Sequence, residues 1–511
     1  MTMRTRFAPS PTGYLHIGGV RTALFNWLLT RQQGGQFVLR IDDTDAERNR
    51  PEALQPILDG FKWLGITWDE GPEVGGPYGP YFQSERQHLY AEAAQRLLDS
   101  GHAYPCYCPK EELDALRKDA EVAKRNFIHR CKCRNVPAAD ARRLLQERPA
   151  PLRLKVPAGR AIAIDDEIRG HVEWQTDQIG DPVIVRADGG ALYNFATVVD
   201  DVAMKITHVI RAAEQLSNTD KQFLVYEALG APLPTFAHVP LVFLCGKKMS
   251  KRDSDKLRTS EVMKSLHAIG LTDAEIATRL DLNPIAVAFY RELGYLPAAL
   301  VNYLGRLGWS MDDKSEVIPL DQMIARFGLD RVNKAPGNFD PAKLLWLAGE
   351  YMRMLPLEQR VAGIIPFLVR AGLVSEPLDE PTRDKIRRVV EACGERIKIF
   401  SDILTYGATF FQKEPQHDAK AVEKKVKKAG APEALRAFKD VLASAEPFAA
   451  ATLEQRLLTF CTERAVNKNL LIHALRVATT GAEIGIGLYE GMVLLGRAET
   501  LRRIDMALSL V

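Results

Sequence analysis

The residues best suited to chemistry near the start of the chain lie in Ala8-Pro9-Ser10-Pro11-Thr12-Gly13-Tyr14-Leu15-His16-Ile17-Gly18-Gly19, flanked by Arg6 and Arg21. Two prolines and Gly13 force a turn after a short apolar start, and His16 with the glycine pair opens a helix. Glycine lets a flat or charged ligand approach the backbone, and N–H groups at a helix start suit phosphate. The stretch reads as a nucleotide-site candidate; a plain Pro/Gly turn between strand and helix is the alternative. A second stretch, Lys248-Met249-Ser250-Lys251-Arg252, follows the apolar run Leu241-Val242-Phe243-Leu244 and the pair Cys245-Gly246. A short strand ending in a cation-rich loop can grip a polyphosphate, or can be an ordinary solvated loop.

Of the seven cysteines, four are grouped as Cys106-x-Cys108 and Cys131-x-Cys133. In a reducing compartment such pairs suggest tetrahedral zinc more than disulfides. The single residue inside each pair is tighter than the usual spacing of about two to four. Zinc and reduced structural thiols therefore both remain open on spacing alone.

Several elements must position these groups. Val20, Ala23, Leu24, Trp27 and Leu28 share one helical face, so the helix opened by His16 packs against a core. Gln36-Phe37-Val38-Leu39-Arg40-Ile41 reads as a buried strand running into Asp42-Asp43-Thr44-Asp45. Ligands gather at the carboxyl ends of strands in a doubly wound sheet. Asp42 is accordingly placed in the site, and Thr44 or Asp45 in a turn or cap before the segment near Pro51. A helix is expected from Gln83 through Leu98, and short strands between Leu152 and Val185, such as Ile162–Ile164 and Val183–Val185. Strands are then expected at Ala191–Phe195, Val198–Asp201 and Ile206–Arg211.

Composition sets the outer limits. A chain of 511 residues, 46% hydrophobic and 26% charged, is expected to form roughly two to four globular domains. Sixty-eight basic against 65 acidic residues leave a net charge of +3, so any nucleic-acid surface must be local. No run approaches the ~18–20 apolar residues of a membrane span, and residues 1–6 hold no signal-peptide core. A cytoplasmic location is expected. From Ala342 onward helical patterns replace strand patterns. Ala419–Lys428 carries five lysines and one glutamate, a solvated helix face or a contact for RNA phosphates.

Together, His16-Ile17-Gly18-Gly19 and Lys248–Arg252 resemble the HIGH and KMSKS signatures of class I aminoacyl-tRNA synthetases. Arg6-Phe7-Ala8-Pro9-Ser10-Pro11-Thr12-Gly13 resembles the glutamyl/glutaminyl branch, and the resemblance to the bacterial glutamyl type runs through nearly the whole chain. It implies an α/β fold: a class I Rossmann-type catalytic domain in two halves, 1–104 and 191–260, with an inserted acceptor-stem-binding domain at 105–190 that holds the possible zinc site. A linker or stem-contact region follows at 261–341, then an all-α anticodon-binding region at 342–511. Residues 261–288 look inserted there; Thr272 and Glu275 have capping-box spacing, in a spacer or a small helix-turn-helix. Glutaminyl enzymes usually carry β-barrels where this chain turns helical, which favours the glutamyl type.

The activity the resemblance implies is ATP-dependent attachment of L-glutamate to tRNA(Glu) through a glutamyl-adenylate. Mg2+ would accompany ATP, and one Zn2+ would sit in the insertion. A monomer without membrane attachment is expected. His16, Lys248 and Lys251 would be catalytic. ATP would meet Pro9, Thr12, Gly13, His16, Gly18, Gly19, Glu214, Met249, Ser250 and Lys251. Glutamate would meet Arg6, Ala8, Ser10, Asp42, Tyr193, Asn194 and Arg211, with Arg6 and Arg211 as the forked cations for its carboxylates. Ordinary ion pairing is the alternative for those arginines. Cys106, Cys108, Cys131 and Cys133 would hold the zinc; Cys133 stands where the family often has histidine, and His129 is a nearby spare that reads better as a lone surface histidine. Arg396 falls roughly where the family reads the anticodon. Two stretches depart from the family: Asp42 replaces its usual glutamate, and Ala212-Ala213-Glu214-Gln215 replaces Gly-Glu-Asp-His. They motivate a second reading, a catalytically weakened paralogue that binds tRNA; a glutaminyl-type enzyme is a third.

Overall fold

A computed structural model describes residues 2–44, 49–125, 127–244, 247–248, 258–279 and 281–511. Its first strand, β1 (Arg4–Phe7), leads through the proline-rich turn to helix α1 (Ile17–Gln32). Nearly the whole of α1 is buried, including Thr22, Asn26 and Thr30, so it is a central helix rather than a surface one. Strand β2 (Gln36–Leu39) returns beside β1 in parallel, with Arg4 opposite Gln36 and Phe7 opposite Leu39. Helix α2 (Leu54–Leu64) ends at Gly65, whose φ of 73° is readily adopted by glycine. Helix α3 (Gln87–Asp99) follows, behind a short 3-10 turn.

The next elements lie between the two halves of the main sheet. They are β3 (Ala103–Pro105), α4 (Lys110–Val122), α5 (Ala138–Glu147), β4 (Leu152–Leu154), β5 (Ala161–Asp166), β6 (Gly170–Gln175) and β7 (Val183–Val185). Strands β3, β4 and β7 form an antiparallel sheet, and β5–β6 a two-stranded antiparallel ribbon. Then come α6 (Tyr193–Ala203), β8 (His208–Ala212), α7 (Leu216–Ala228), β9 (Thr235–Val239), β10 (Val242–Leu244), β11 (Lys247–Lys248) and β12 (Gly337–Phe339).

The main sheet has the order β2-β1-β8-β9, all parallel. The chain leaves β1 toward β2 on one side and returns as β8 on the other. That reversal opens a crevice at the carboxyl ends of the strands, where ligands bind in such sheets. The strands expected at 191–195 and 198–201 are instead the single helix α6. Leu192 precedes it, and Phe195, Val198 and Val199 are buried on it together with Asp200 and Asp201. The apolar run that suggested a strand is a helix buried on most sides, a case that periodicity alone cannot separate.

The chain divides into two compact units. The first is residues 1–251, 285–287 and 301–340; the second is residues 252–284, 288–300 and 341–511. The second is helical from Pro341–Met354 to Arg497–Leu508, with a core that includes Phe438, Leu453, Leu475 and Ile504. Thr272 and Glu275 form the expected capping box at the start of Asp273–Thr278. In the lysine-rich run Val422 and Val426 are buried, while Lys420, Lys424, Lys427 and Lys428 are exposed, as a solvated face requires. Among the described residues no helix is long and apolar enough to cross a membrane.

Candidate active site

A cavity of about 320 Å³ lies at the carboxyl ends of the parallel strands, bordered by the segments that follow β1, β2, β8 and β9. Arg6, Ala8, Pro9, Ser10 and Thr12 line it from the end of β1 and the turn beyond. His16, Gly18 and Gly19 line it from the start of α1, and Asp42 from the end of β2. Tyr193, Arg211 and Glu214 complete the set of expected residues on its wall. Gly13 and Asn194 are not on that wall; Asn194 accepts from Gln222 Nε2 at 3.1 Å. Lys248 lies in β11, which pairs antiparallel with β10, and β10 reaches the cavity through Val242. Met249, Ser250 and Lys251 lie outside the described residues.

His16 is the N-cap of α1, and its Nδ1 accepts the N–H of Gly19 at 3.0 Å. In the neutral imidazole this puts the proton on Nε2, which becomes a donor. The positive end of α1 adds to the attraction for phosphate. A Cβ on Gly18 would stand 3.3 Å from His16 Nδ1, and one on Gly19 3.3 Å from Cε1 and Nε2. The glycine pair thus makes room for the imidazole itself. His16 is held from its other side by residues 285–287: Ile17 N–H donates to Ile285 O at 2.8 Å and Val287 N–H to Leu15 O at 3.0 Å. These three residues close the stretch read from sequence as an inserted spacer; here they clamp the backbone around His16.

Beneath the cavity is a buried charge network that the sequence reading missed. Arg40 donates to Asp42 Oδ1 at 2.7 Å and to Asp201 Oδ1 at 2.7 Å. Arg6 donates through Nε to both oxygens of Asp201 at 3.2 Å. Arg86 donates to Asp200 Oδ1 at 2.5 Å, and Tyr90 and Gln83 donate to Asp200 Oδ2. Burial works against ionisation of Asp201, yet Arg6 and Arg40 hold its carboxyl below the usual carboxylate range. Burial dominates at Asp42 and pushes it up to about 6, against the pull of Arg40. The available signals were charged residues inside apolar runs: Arg40 in a strand, and Asp200 and Asp201 after Val198-Val199.

Arg211 differs from Arg6. Its donors go to neutral acceptors: Nε to His238 Nε2 at 3.0 Å, Nη1 to Gln222 Oε1 at 2.6 Å and Nη2 to Thr219 Oγ1 at 2.7 Å. Among the described residues it makes no ion pair, and burial lowers it to about 10. A buried, oriented guanidinium with only neutral hydrogen-bond partners at the wall of a cavity can receive a carboxylate. Arg6, whose expected role was the same, spends its fork on Asp201.

Away from the cavity, Cys106, Cys108, Cys131 and His129 bring their ligand atoms within 4.8 Å of one another. The set differs from the four cysteines expected: His129 is in it, and Cys133 is outside it, donating its backbone N–H to Cys131 Sγ at 3.3 Å. His129 is only 8% exposed, not a surface residue, and its buried Nε2 has no hydrogen-bond partner. The sulfur of Cys131 lies 3.1 Å from that of Cys108 and 3.6 Å from that of Cys106, all three unbridged. Three sulfurs and an orphaned imidazole nitrogen fit one tetrahedral zinc ion.

Comparison with known proteins agrees with this geometry. The sequence matches the family described as "tRNA synthetases class I (E and Q), catalytic domain" over residues 2–269 and 267–346. Residues 359–508 match the family "Anticodon binding domain". The glutamate–tRNA ligase of Moorella thermoacetica is 41% identical over 507 residues, covering 99% of this chain and 98% of its own. The chain belongs to the class I tRNA synthetases of the E and Q type. A second relative of this family, the glutamate–tRNA ligase of Carboxydothermus hydrogenoformans, is 43% identical over 506 residues, 98% of this chain and 99% of its own. A solved synthetase structure, a glutamate tRNA ligase from Elizabethkingia meningosepticum in complex with its amino acid, superposes with a TM-score of 0.83. It is 34% identical and covers 100% of this chain and 99% of its own. Within the class I synthetase fold, the departures at Asp42 and Ala212–Gln215 leave acidic groups on the cavity wall: Asp42 itself and Glu214.

Proposed function

We propose that this chain activates L-glutamate with ATP and attaches it to tRNA(Glu), acting as a cytoplasmic monomer. The observation that carries the reading is Arg211, a buried cation with neutral partners at a cavity whose acidic groups are Asp42 and Glu214, Asp42 being the buried one. That pairing suits an amino acid with an extra carboxylate: Asp42 for its ammonium and Arg211 for a carboxylate. Ala8 and Ser10 are assigned to the same substrate, and Pro9, Thr12, Gly18, Gly19 and Glu214 to ATP.

A carboxylate oxygen of glutamate attacks the α-phosphorus of ATP and pyrophosphate leaves. A hydroxyl of the terminal ribose of tRNA then attacks the acyl carbon, and AMP leaves. The chain positions reactants and stabilises phosphate charge. His16 offers Nε2–H and the start of α1 to the phosphates, and Lys248 and Lys251 are assigned to the leaving pyrophosphate. Mg2+, accompanying ATP, supplies further charge neutralisation. Zinc held by Cys106, Cys108, His129 and Cys131 would be structural, fastening β3 to the loop around Cys131. Exposed Arg396 is assigned to the anticodon.

ATP–pyrophosphate exchange tests the reading. With tRNA(Glu) present, exchange should require glutamate and not glutamine. Absent exchange with intact tRNA binding would instead identify the weakened paralogue.

A further inference from the structure

Behind Arg211 lies a chain of buried groups. Asp166, the last residue of β5, and His238, in β9, are both fully buried at their side chains. Asp166 Oδ1 accepts the backbone N–H of Ile168 at 3.0 Å and of Arg169 at 2.8 Å. Its Oδ2 meets His238 Nδ1 at 2.6 Å and the backbone N–H of His238 at 3.1 Å. Burial disfavours the charged imidazole, so His238 falls below the usual histidine range. With one proton, and a carboxylate at Nδ1, the imidazole keeps that proton on Nδ1 and presents a lone pair at Nε2. That lone pair accepts Arg211 Nε–H at 3.0 Å, with the Thr219 hydroxyl also 3.1 Å from Nε2.

We propose that His238 and Asp166 are positioning residues for glutamate recognition, holding the Arg211 guanidinium in plane through a tautomer-fixed imidazole. The inference rests on the assignment of Arg211 to a glutamate carboxylate. Its logic is electrostatic. A carboxylate in direct contact with Arg211 would orient it equally well but would neutralise it and compete with substrate. An interposed neutral imidazole supplies the acceptor and keeps the aspartate's charge one ring farther away. Thr219 and Gln222 complete the neutral cradle. The arrangement also places one member of the amino-acid site in the inserted region: Asp166 is anchored there, and Glu167 N–H donates to Phe236 O across to β9 at 2.9 Å.

The proposal is sharpest for Asp166→Asn. The N–H groups of Ile168 and Arg169 would claim the amide oxygen, so its NH2 would face His238 Nδ1. The imidazole proton must then move to Nε2, where it faces the N–H of Arg211 and can reach only Thr219 Oγ1, the oxygen that accepts from Arg211 Nη2. The test is glutamate-dependent pyrophosphate exchange on the full chain with tRNA(Glu), read as separate KM values for glutamate and ATP. Asp166→Asn should raise the glutamate KM by about tenfold or more and leave the ATP KM unchanged. His238→Gln, which can place its amide oxygen near the Nε2 position, should stay within about threefold of the parent. His238→Asn, too short to reach Arg211, should resemble Asp166→Asn. Arg211→Ala is the control: an unchanged glutamate KM there removes the underlying assignment. If Arg211→Ala raises the glutamate KM while Asp166→Asn and His238→Asn do not, the positioning role is overturned and the assignment stands. A parallel rise of both KM values in the two variants would reduce the relay to a structural element and overturn the proposal.

Discussion

Arg40 and Asp42, two residues apart at the end of β2, face each other with Nε and Oδ1 2.7 Å apart, and their side chains are 0% and 6% exposed. The contact decides between two uses of Asp42. Helix α2 begins after Ala53 with no side-chain cap, so Asp42 caps nothing there. Its backbone N–H reaches Pro9 O at 3.0 Å, tying the ends of β1 and β2 together at the cavity. Asp42 thus lines the cavity, with Arg40 as its charged partner.

The first prediction concerns pH. Burial raises Asp42 to about 6, with Arg40 and Arg6 pulling down and Asp200 pushing up. Protonation below that value removes the charge assigned to the glutamate ammonium. The glutamate KM should rise about tenfold per unit below about pH 6, while the ATP KM does not follow. In Asp42→Asn the glutamate KM should be high and flat in pH; Asp42→Glu should stay within about tenfold of the parent. Steady-state exchange across pH checks all three. In stability the sign is the reverse of an ordinary paired carboxylate: the raised value contributes stability below 3.8 that is lost as pH rises through about 6.

The second prediction separates activity from stability. Gly19→Ala would press a Cβ on the His16 ring from 3.3 Å, and the ring must shift by tenths of an ångström. Turnover in exchange should fall about tenfold, since small misplacements of positioning groups are costly. Thermal stability should hold or rise, because alanine favours a helix over glycine by about 1 kcal/mol. Parallel turnover and melting measurements test the split; unchanged turnover would sink it.

The third concerns metal. Protein purified under reducing, chelator-free conditions should carry one zinc per chain. His129→Ala should lose it, and Cys133→Ser should keep it. Elemental analysis giving the opposite pattern would restore the four-cysteine set, and a zinc-free parent would remove the site altogether.

The fourth returns to the cationic loop. Lys251→Ala should lower adenylate formation by about 10²- to 10³-fold while circular dichroism and melting stay as in the parent, because charge grows on the phosphates only as the reaction proceeds. Turnover equal to the parent's would remove Lys251 from the reaction.

The sequence carried the turn after β1, the helix at His16, the strand before Asp42 and the helical end of the chain, because each has a local signal: prolines, glycines, periodicity. It did not carry α6, whose apolar run Phe195–Val199 looks the same to a periodicity argument as a strand. It carried His129 only as a spare beside the four cysteines, and it did not carry His238 as a partner of Arg211. Both roles depend on residues from distant elements: His129 meets Cys106 from β3's end, and His238 meets Asp166 from the ribbon. A lone histidine gives no hint of such a partner.

The parallel pairing of β1 with β8 puts Thr5 opposite His208. At synthesis rates of about 5–20 residues per second, roughly 10–40 s separate the emergence of those two strands from the ribosome. During that interval β1 and β2 can pair, but the β1 edge that will meet β8 is bare, a template for wrong partners. The β5–β6 ribbon of the insertion closes over a short loop and can form meanwhile, whereas the cavity must wait for its second wall. The price of building one pocket from both ends of a long detour is a nascent chain that carries an unprotected edge until β8 arrives. Variants that slow the folding of the insertion should therefore betray themselves first as aggregation during expression, before any loss of stability in the finished protein.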